Sequence, residues 1–252
     1  MKLNKLMLVR AQKCCWHLLI GLLIAPDILW AQGYTVTGHV TLTATTIQNK
    51  TAQNSNAVVW LTPLDEAVAS ADLRVETAPG RYRLVQKNKR FTPHILVVPV
   101  GAVVEFPNSD PFFHNVFSLF DGKRFDLGLY EAGTTRNVSF NSAGVSYIFC
   151  NIHPEMGAVV VATKAPYYAI SNAAGDFAIS NVPGGRYQLN VWHERSFPEA
   201  LKALSREVTV SSTSSSLGEL RLPESGNILS NHKNKYGRQY DSTTPSNPIY
   251  DH

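Results

Sequence analysis

Cys150, His153 and Met156 follow one another at three-residue intervals in CNIHPEM, which puts a thiolate, an imidazole and a thioether in one short loop. A second imidazole, His114, lies upstream in PNSDPFFHNVFS. Two histidines, a cysteine and a weak methionine form the ligand chemistry that favours copper electron-transfer centres. Copper alternates between oxidation states that prefer different ligands, and soft sulfur with borderline nitrogen holds both in one compromise geometry. In this reading Cys150 makes the strongest bond, His114 and His153 complete an approximately trigonal plane, and Met156 lies at long range on the axis. A metal used for hydrolysis keeps one position open for water or substrate. Here protein fills all four, so electron exchange is the chemistry the set suits. Zinc also accepts tetrahedral sulfur and nitrogen, and the thioether favours copper over it.

Each residue alone has a plainer role. A buried Cys is a small hydrophobe, a Met fills gaps in a core, and a histidine on a strand usually just hydrogen-bonds. Cysteine usage supports the combined reading. Lys2, Lys5, Arg10 and Lys13 precede an apolar run from Cys14 to Trp30, with the small residue Ala31 near its end. That is the layout of a secretory signal over residues 1–31, with an uncleaved anchor as the alternative. Cys14 and Cys15 leave with such a signal, so Cys150 becomes a lone thiol in an oxidising compartment, periplasmic or secreted. Binding a metal as thiolate accounts for it. The same segment, with four basic residues against Asp27, carries three of the net +4 charges and leaves +1 for the remainder. A balance so near neutral argues against a nucleic-acid partner, and no later stretch is apolar enough to span a membrane.

The elements that must position these ligands are strands. Val, Thr, Tyr and Phe gather in short runs broken by Gly, Pro, Asn and Asp, which predicts an all-β protein. In residues 33–80 the runs YTVTGHVTL and NAVVWLTPL flank a polar loop. In residues 81–163, YRLVQ, HILVVPV, AVVEFP, HNVFSLF, RNVSF, VSYIFC and GAVVVAT follow in quick succession. Spacing of about ten residues predicts a two-sheet antiparallel sandwich, with Cys150 at the rim of one strand. Residues 164–222 read as a further small sandwich turning at Gly175, Gly184 and Gly185. The tail, residues 223–252, is polar and is expected to lack order.

The central block resembles the cupredoxin family, whose fold is a Greek-key β-sandwich. Its Cys-x-x-His-x-x-Met loop is most similar to that of amicyanin, and FPNSDPFFHNVF matches the pattern leading to the first ligand histidine. The resemblance covers roughly residues 81–163 and implies one type 1 copper ion held by His114, Cys150, His153 and Met156. It also implies that Asn115, beyond the ligands themselves, ties the two ligand loops together. The segment Tyr167 to Glu194 resembles carboxypeptidase-regulatory-like or transthyretin-like modules, and GHVTL with NAVVWLTPL looks like strands of a similar unit. Such modules are usually noncatalytic.

Other constellations are weaker. Trp192, His193 and Glu194 set an imidazole beside a carboxylate with no nucleophile nearby; His39 reads as a surface residue. His94 is either solvent-facing or a neighbour of the ligands, and His232 and His252 suit adventitious metal binding. With no His-x-His pair, the resemblance excludes a trinuclear copper cluster. Pro111, Phe112, Phe113 and Pro154 predict an apolar rim at the exposed edge of the site, suited to brief encounters. The expected function is a blue-copper carrier, not an enzyme, passing single electrons to redox proteins such as a cytochrome or dehydrogenase. Copper storage or delivery, and an envelope interaction or carbohydrate-binding protein with a structural cupredoxin core, are the rival readings.

Overall fold

Alternation sets the first strand. In β1 (Tyr34–Ala44), Val36, Val40 and Leu42 are buried while the threonines between them face outward or stay partly covered. A computed structural model describes residues 33–44, 56–66, 81–119, 122–224 and 232–240; the signal-like segment 1–31 lies outside them. The described residues are mainly β-strand, with a short helix at Pro198–Ala203, and no helix among them is long and apolar enough to cross a membrane.

The chain continues through β2 (Val58–Pro63), then β3 (Tyr82–Arg83), β4 (Val85–Lys87), β5 (Arg90–Thr92), β6 (Ile95–Pro99) and β7 (Val103–Pro107). Next come β8 (His114–Ser118), β9 (Phe125–Tyr130), β10 (Thr135–Ser139), β11 (Gly144–Phe149) and β12 (Gly157–Thr163). The last elements are β13 (Tyr167–Ile170), β14 (Asp176–Val182), β15 (Gly185–Trp192), α1 (Pro198–Ala203), β16 (Arg206–Val210) and β17 (Ser216–Glu224).

The front and back of the chain build one sandwich together. Its layers are a sheet in the order β14, β1, β17 and a sheet in the order β13, β2, β15, β16. β1 runs antiparallel to β14 and parallel to β17, aligning Val40 with Leu220 and Leu42 with Leu222. In β14 the left-handed Asn181, at φ 58°, adds a residue that brings Val182 back to the buried face after Ile179.

The middle of the chain builds the second sandwich. One layer is the order β6, β12, β11, β8, β9; facing it are β10, β7, β3 and the hairpin β4 to β5. That hairpin turns through Asn88 and Lys89, both at φ 55°, the left-handed pair a two-residue turn needs to follow the strand twist. Leu84, Val104, Phe106, Val116, Phe140 and Ile148 fill the space between the layers.

β12 belongs to both cores. Ala158, Val160 and Ala162 point into the middle sandwich, and Val159 and Val161 pack with β1, β2, β14 and β15 residues in the other. A central strand buried on both faces is apolar at every position, which is why GAVVVAT shows no alternation.

Candidate metal centre

Two adjacent strands set the site. Antiparallel pairing of β11 with β8 at Phe149 and Phe117 brings Cys150, one residue beyond β11, opposite Val116, two residues from His114 at the start of β8. Cys150 then opens a tight loop. Its N–H donates to the Met156 carbonyl at 3.1 Å, and the Met156 N–H donates to the His153 carbonyl at 3.0 Å. These bonds fold His153 back over Cys150 and return the chain to β12.

The result is a convergence of three donor atoms. His114 Nδ1 lies 3.7 Å and His153 Nδ1 3.6 Å from Cys150 Sγ, and all three lie within 4.8 Å of one another. Bonds of about 2.3 Å to sulfur and about 2.0 Å to nitrogen, about 120° apart, would separate S and N by about 3.7 Å. The two sulfur–nitrogen separations match that value, and thiolate with two imidazoles is a donor set that suits copper. Met156 occupies the same loop and is fully buried beside Cys150 in the core of the middle sandwich.

Burial is uneven. His114 and Cys150 are wholly inside, whereas His153 is half-buried. The Phe112 ring leans on both imidazoles, 5.2 Å from His114 and 5.7 Å from His153, with Lys89 Nζ 5.5 Å from its centre. Of the residues read from the sequence as an apolar rim, Pro111 and Pro154 are exposed and Phe113 is 44% exposed.

Hydrogen bonds tune the groups in opposite senses. Burial pushes the Cys150 thiol up, against main-chain N–H groups of Asn115, Ile152 and His153 that favour the thiolate. Burial also holds the His114 imidazole below its usual range despite the Asp110 carboxylate beside it. His114 Nε2 lies 2.8 Å from Asp110 Oδ2. Asp110 is itself buried, which works against its charge. The Lys89 N–H, His114 and the Asn88 N–H outweigh that effect and hold the carboxyl below the usual range.

Asn115 is buried and reaches the cysteine through its main chain, while its side chain turns away: Nδ2 donates to Asp126 Oδ1 at 2.7 Å. Asn115 Oδ1 is buried with no hydrogen-bond partner among the described residues. His94 joins the two sandwiches, its Nε2 2.8 Å from Glu194 Oε2. His193 is buried and accepts the Arg195 N–H at Nδ1, and His39 pairs with Asp176.

Sequence reasoning missed two contributors. Asp110 was signalled only by its acidic type four residues before His114. The other is the stretch 232–240, part of the tail expected to lack order, which lies against the loop that begins at Cys150. The His232 ring stacks on Phe149 at 3.9 Å and 12°, and Tyr240 donates its hydroxyl to the Cys150 carbonyl at 3.0 Å. The Lys235 N–H donates to Asn151 Oδ1 at 3.0 Å, and Lys235 Nζ pairs with Asp126 at 2.9 Å. The physical reason is that a few directed contacts to one loop can seat a short polar strap whose low apolar content, read alone, implies no order.

No family model matches the chain, and no curated protein does. Solved structures do. A purple cupredoxin from Nitrosopumilus maritimus is 24% identical at a TM-score of 0.30, over 32% of this chain and 99% of its own. A reduced amicyanin mutant is 23% identical at a TM-score of 0.32, over 35% of this chain and 87% of its own. A Cu-containing nitrite reductase from Thermus scotoductus SA-01 is 24% identical at a TM-score of 0.32, over 34% of this chain and 23% of its own.

Proposed function

We propose that this is an exported type 1 copper protein that carries single electrons between redox partners, with a cupredoxin domain over residues 81–163 as its working part. The observation that carries the reading is the meeting of Cys150 Sγ with two imidazole Nδ1 atoms at 3.6 and 3.7 Å, inside a core and beside one accessible histidine. His114, Cys150, His153 and Met156 would hold a copper ion, which would supply one-electron exchange. The chain's own residues do the rest. The two strands fix His114 and Cys150, so little reorganises between oxidation states. Phe112 and the buried surroundings keep water from the buried ligands. His153 offers the short way out, ringed by Pro111, Phe113 and Pro154, where a cytochrome or dehydrogenase with a matching apolar patch docks briefly. Residues 1–31 serve as the signal that delivers the chain to a periplasmic or secreted location, and the outer sandwich, built from β1, β2 and β13 to β17, serves as its frame.

The test is a visible spectrum of the chain lacking residues 1–31 after one equivalent of Cu(II) and then ascorbate. An intense blue band that bleaches on reduction and is missing in Cys150→Ser is the expected result. A colourless protein that retains no copper would refute the reading.

A further inference from the structure

Asp110 sits in the turn NSDP, where the Asn108 side chain accepts its N–H at 3.0 Å and fixes the turn. Its carboxylate is 4% exposed and takes three donors. Oδ1 accepts the Asn88 N–H at 2.6 Å, while Oδ2 accepts the Lys89 N–H at 3.0 Å and faces His114 Nε2 at 2.8 Å. An ionised carboxylate accepts and cannot donate, so Nε2 must carry the proton. A neutral imidazole protonated at Nε2 has its lone pair on Nδ1, the atom 3.7 Å from Cys150 Sγ.

We propose that Asp110 is the positioning residue of the site: it locks His114 in the Nε2–H tautomer, reserves Nδ1 for the metal, and biases a bound copper ion toward its higher charge. The last clause rests on the copper reading given above. The carboxylate strengthens His114 as a donor through the ring and adds a negative charge close to the ion, which favours Cu(II) over Cu(I). The turn of the β4 to β5 hairpin is part of the device. Its two left-handed residues aim the Asn88 and Lys89 N–H groups at the carboxylate and hold it ionised inside the core.

Asp110→Asn tests this because an amide cannot satisfy all three donors. If its NH2 takes the Oδ2 position it opposes the Lys89 N–H and forces His114 to accept at Nε2, which moves the ring proton to Nδ1. If it takes the Oδ1 position it opposes the Asn88 N–H, and a neutral oxygen is left for His114. Both outcomes weaken the ligand.

The first measurement needs no variant and no metal. In the 15N NMR spectrum of the metal-free protein, the His114 ring, identified by its loss in His114→Gln, should show a protonated Nε2 and a bare Nδ1. A ring protonated at Nδ1, or averaging between tautomers as a free imidazole does, overturns the proposal. In Asp110→Asn, with its fold checked by circular dichroism, Zn(II) and Cu(II) affinity should fall about 10–100-fold. Cu(II) affinity should fall more than Cu(I) affinity, raising the potential by about 59 mV for each tenfold difference. An unchanged Zn(II) affinity, or a potential that stays or falls, overturns it. Failure of the copper reading is separate: it appears as a wild-type protein with no blue band, while the tautomer and the Zn(II) affinities still judge Asp110.

Discussion

Val159 tests whether the two sandwiches unfold as one body. It is fully buried and faces the outer sandwich, while its neighbour Val160, equally buried, faces the core that holds Cys150 and Met156. Val159→Ala removes two methylene equivalents at about 0.8 kcal/mol each. A cavity of about 40 Å³ adds about 1 kcal/mol, for a loss of about 2–3 kcal/mol. At this chain length that lowers the thermal midpoint by about 4–12 °C. The protein carries a probe for each sandwich. Without residues 1–31 its only tryptophans are Trp60 and Trp192, both packed in the outer core. Its only thiol is then Cys150, buried in the other. Tryptophan fluorescence and pulse labelling of the thiol, followed through urea in the metal-free protein, should report one midpoint, and Val159→Ala should move both signals together. Two separate midpoints, or a variant that shifts the fluorescence and leaves the thiol protected as before, would refute the shared core.

Two further outcomes follow from contacts across the site's surroundings. The bond from Glu194 raises the His94 pKa above its ordinary 6.5, with burial opposing it, so the pair's stability is fully present below 6.5 and is lost as pH rises through the raised value. Thermal midpoints should therefore fall across that interval, and Glu194→Gln should flatten the fall; an identical pH profile in the variant would show the pair to be idle. Tyr240→Phe leaves the Cys150 carbonyl without its tail donor and should cost about 0.5–1.5 kcal/mol. Faster native-state labelling of the Cys150 thiol should accompany the loss, and unchanged labelling would mean that the strap does not guard the loop.

Residue type and spacing made much of the site legible. The Cys150, His153 and Met156 spacing implied one loop, and the structure brings donor atoms of Cys150, His153 and His114 within 4.8 Å of one another. Strand alternation was readable where one face is wet, as in β1, and unreadable in β12, whose two faces lie in two cores. What stayed hidden depends on three-dimensional pairing. Nothing near Asp110 states that the N–H groups of Asn88 and Lys89, about twenty residues earlier, will hold its charge inside the protein. Nothing in the polar tail announces that Tyr240 will find the carbonyl of Cys150, 90 residues away. Nor does the sequence announce that the side chain of Asn115 will donate to Asp126 on β9.

The pairing of β1 has a consequence in time. Thr41 donates its hydroxyl to Glu219, 178 residues later, and both strand neighbours of β1 come from the far end of the chain. At synthesis rates of about 5–20 residues per second, the first strand waits about 10–40 s for its partners. His114, Cys150, His153 and Met156 all emerge before that wait ends, while Val36, Val40 and Leu42 have yet to meet the strands that cover them. A strand near the end of the described chain, β17, is thus the one that ends the exposure of its first.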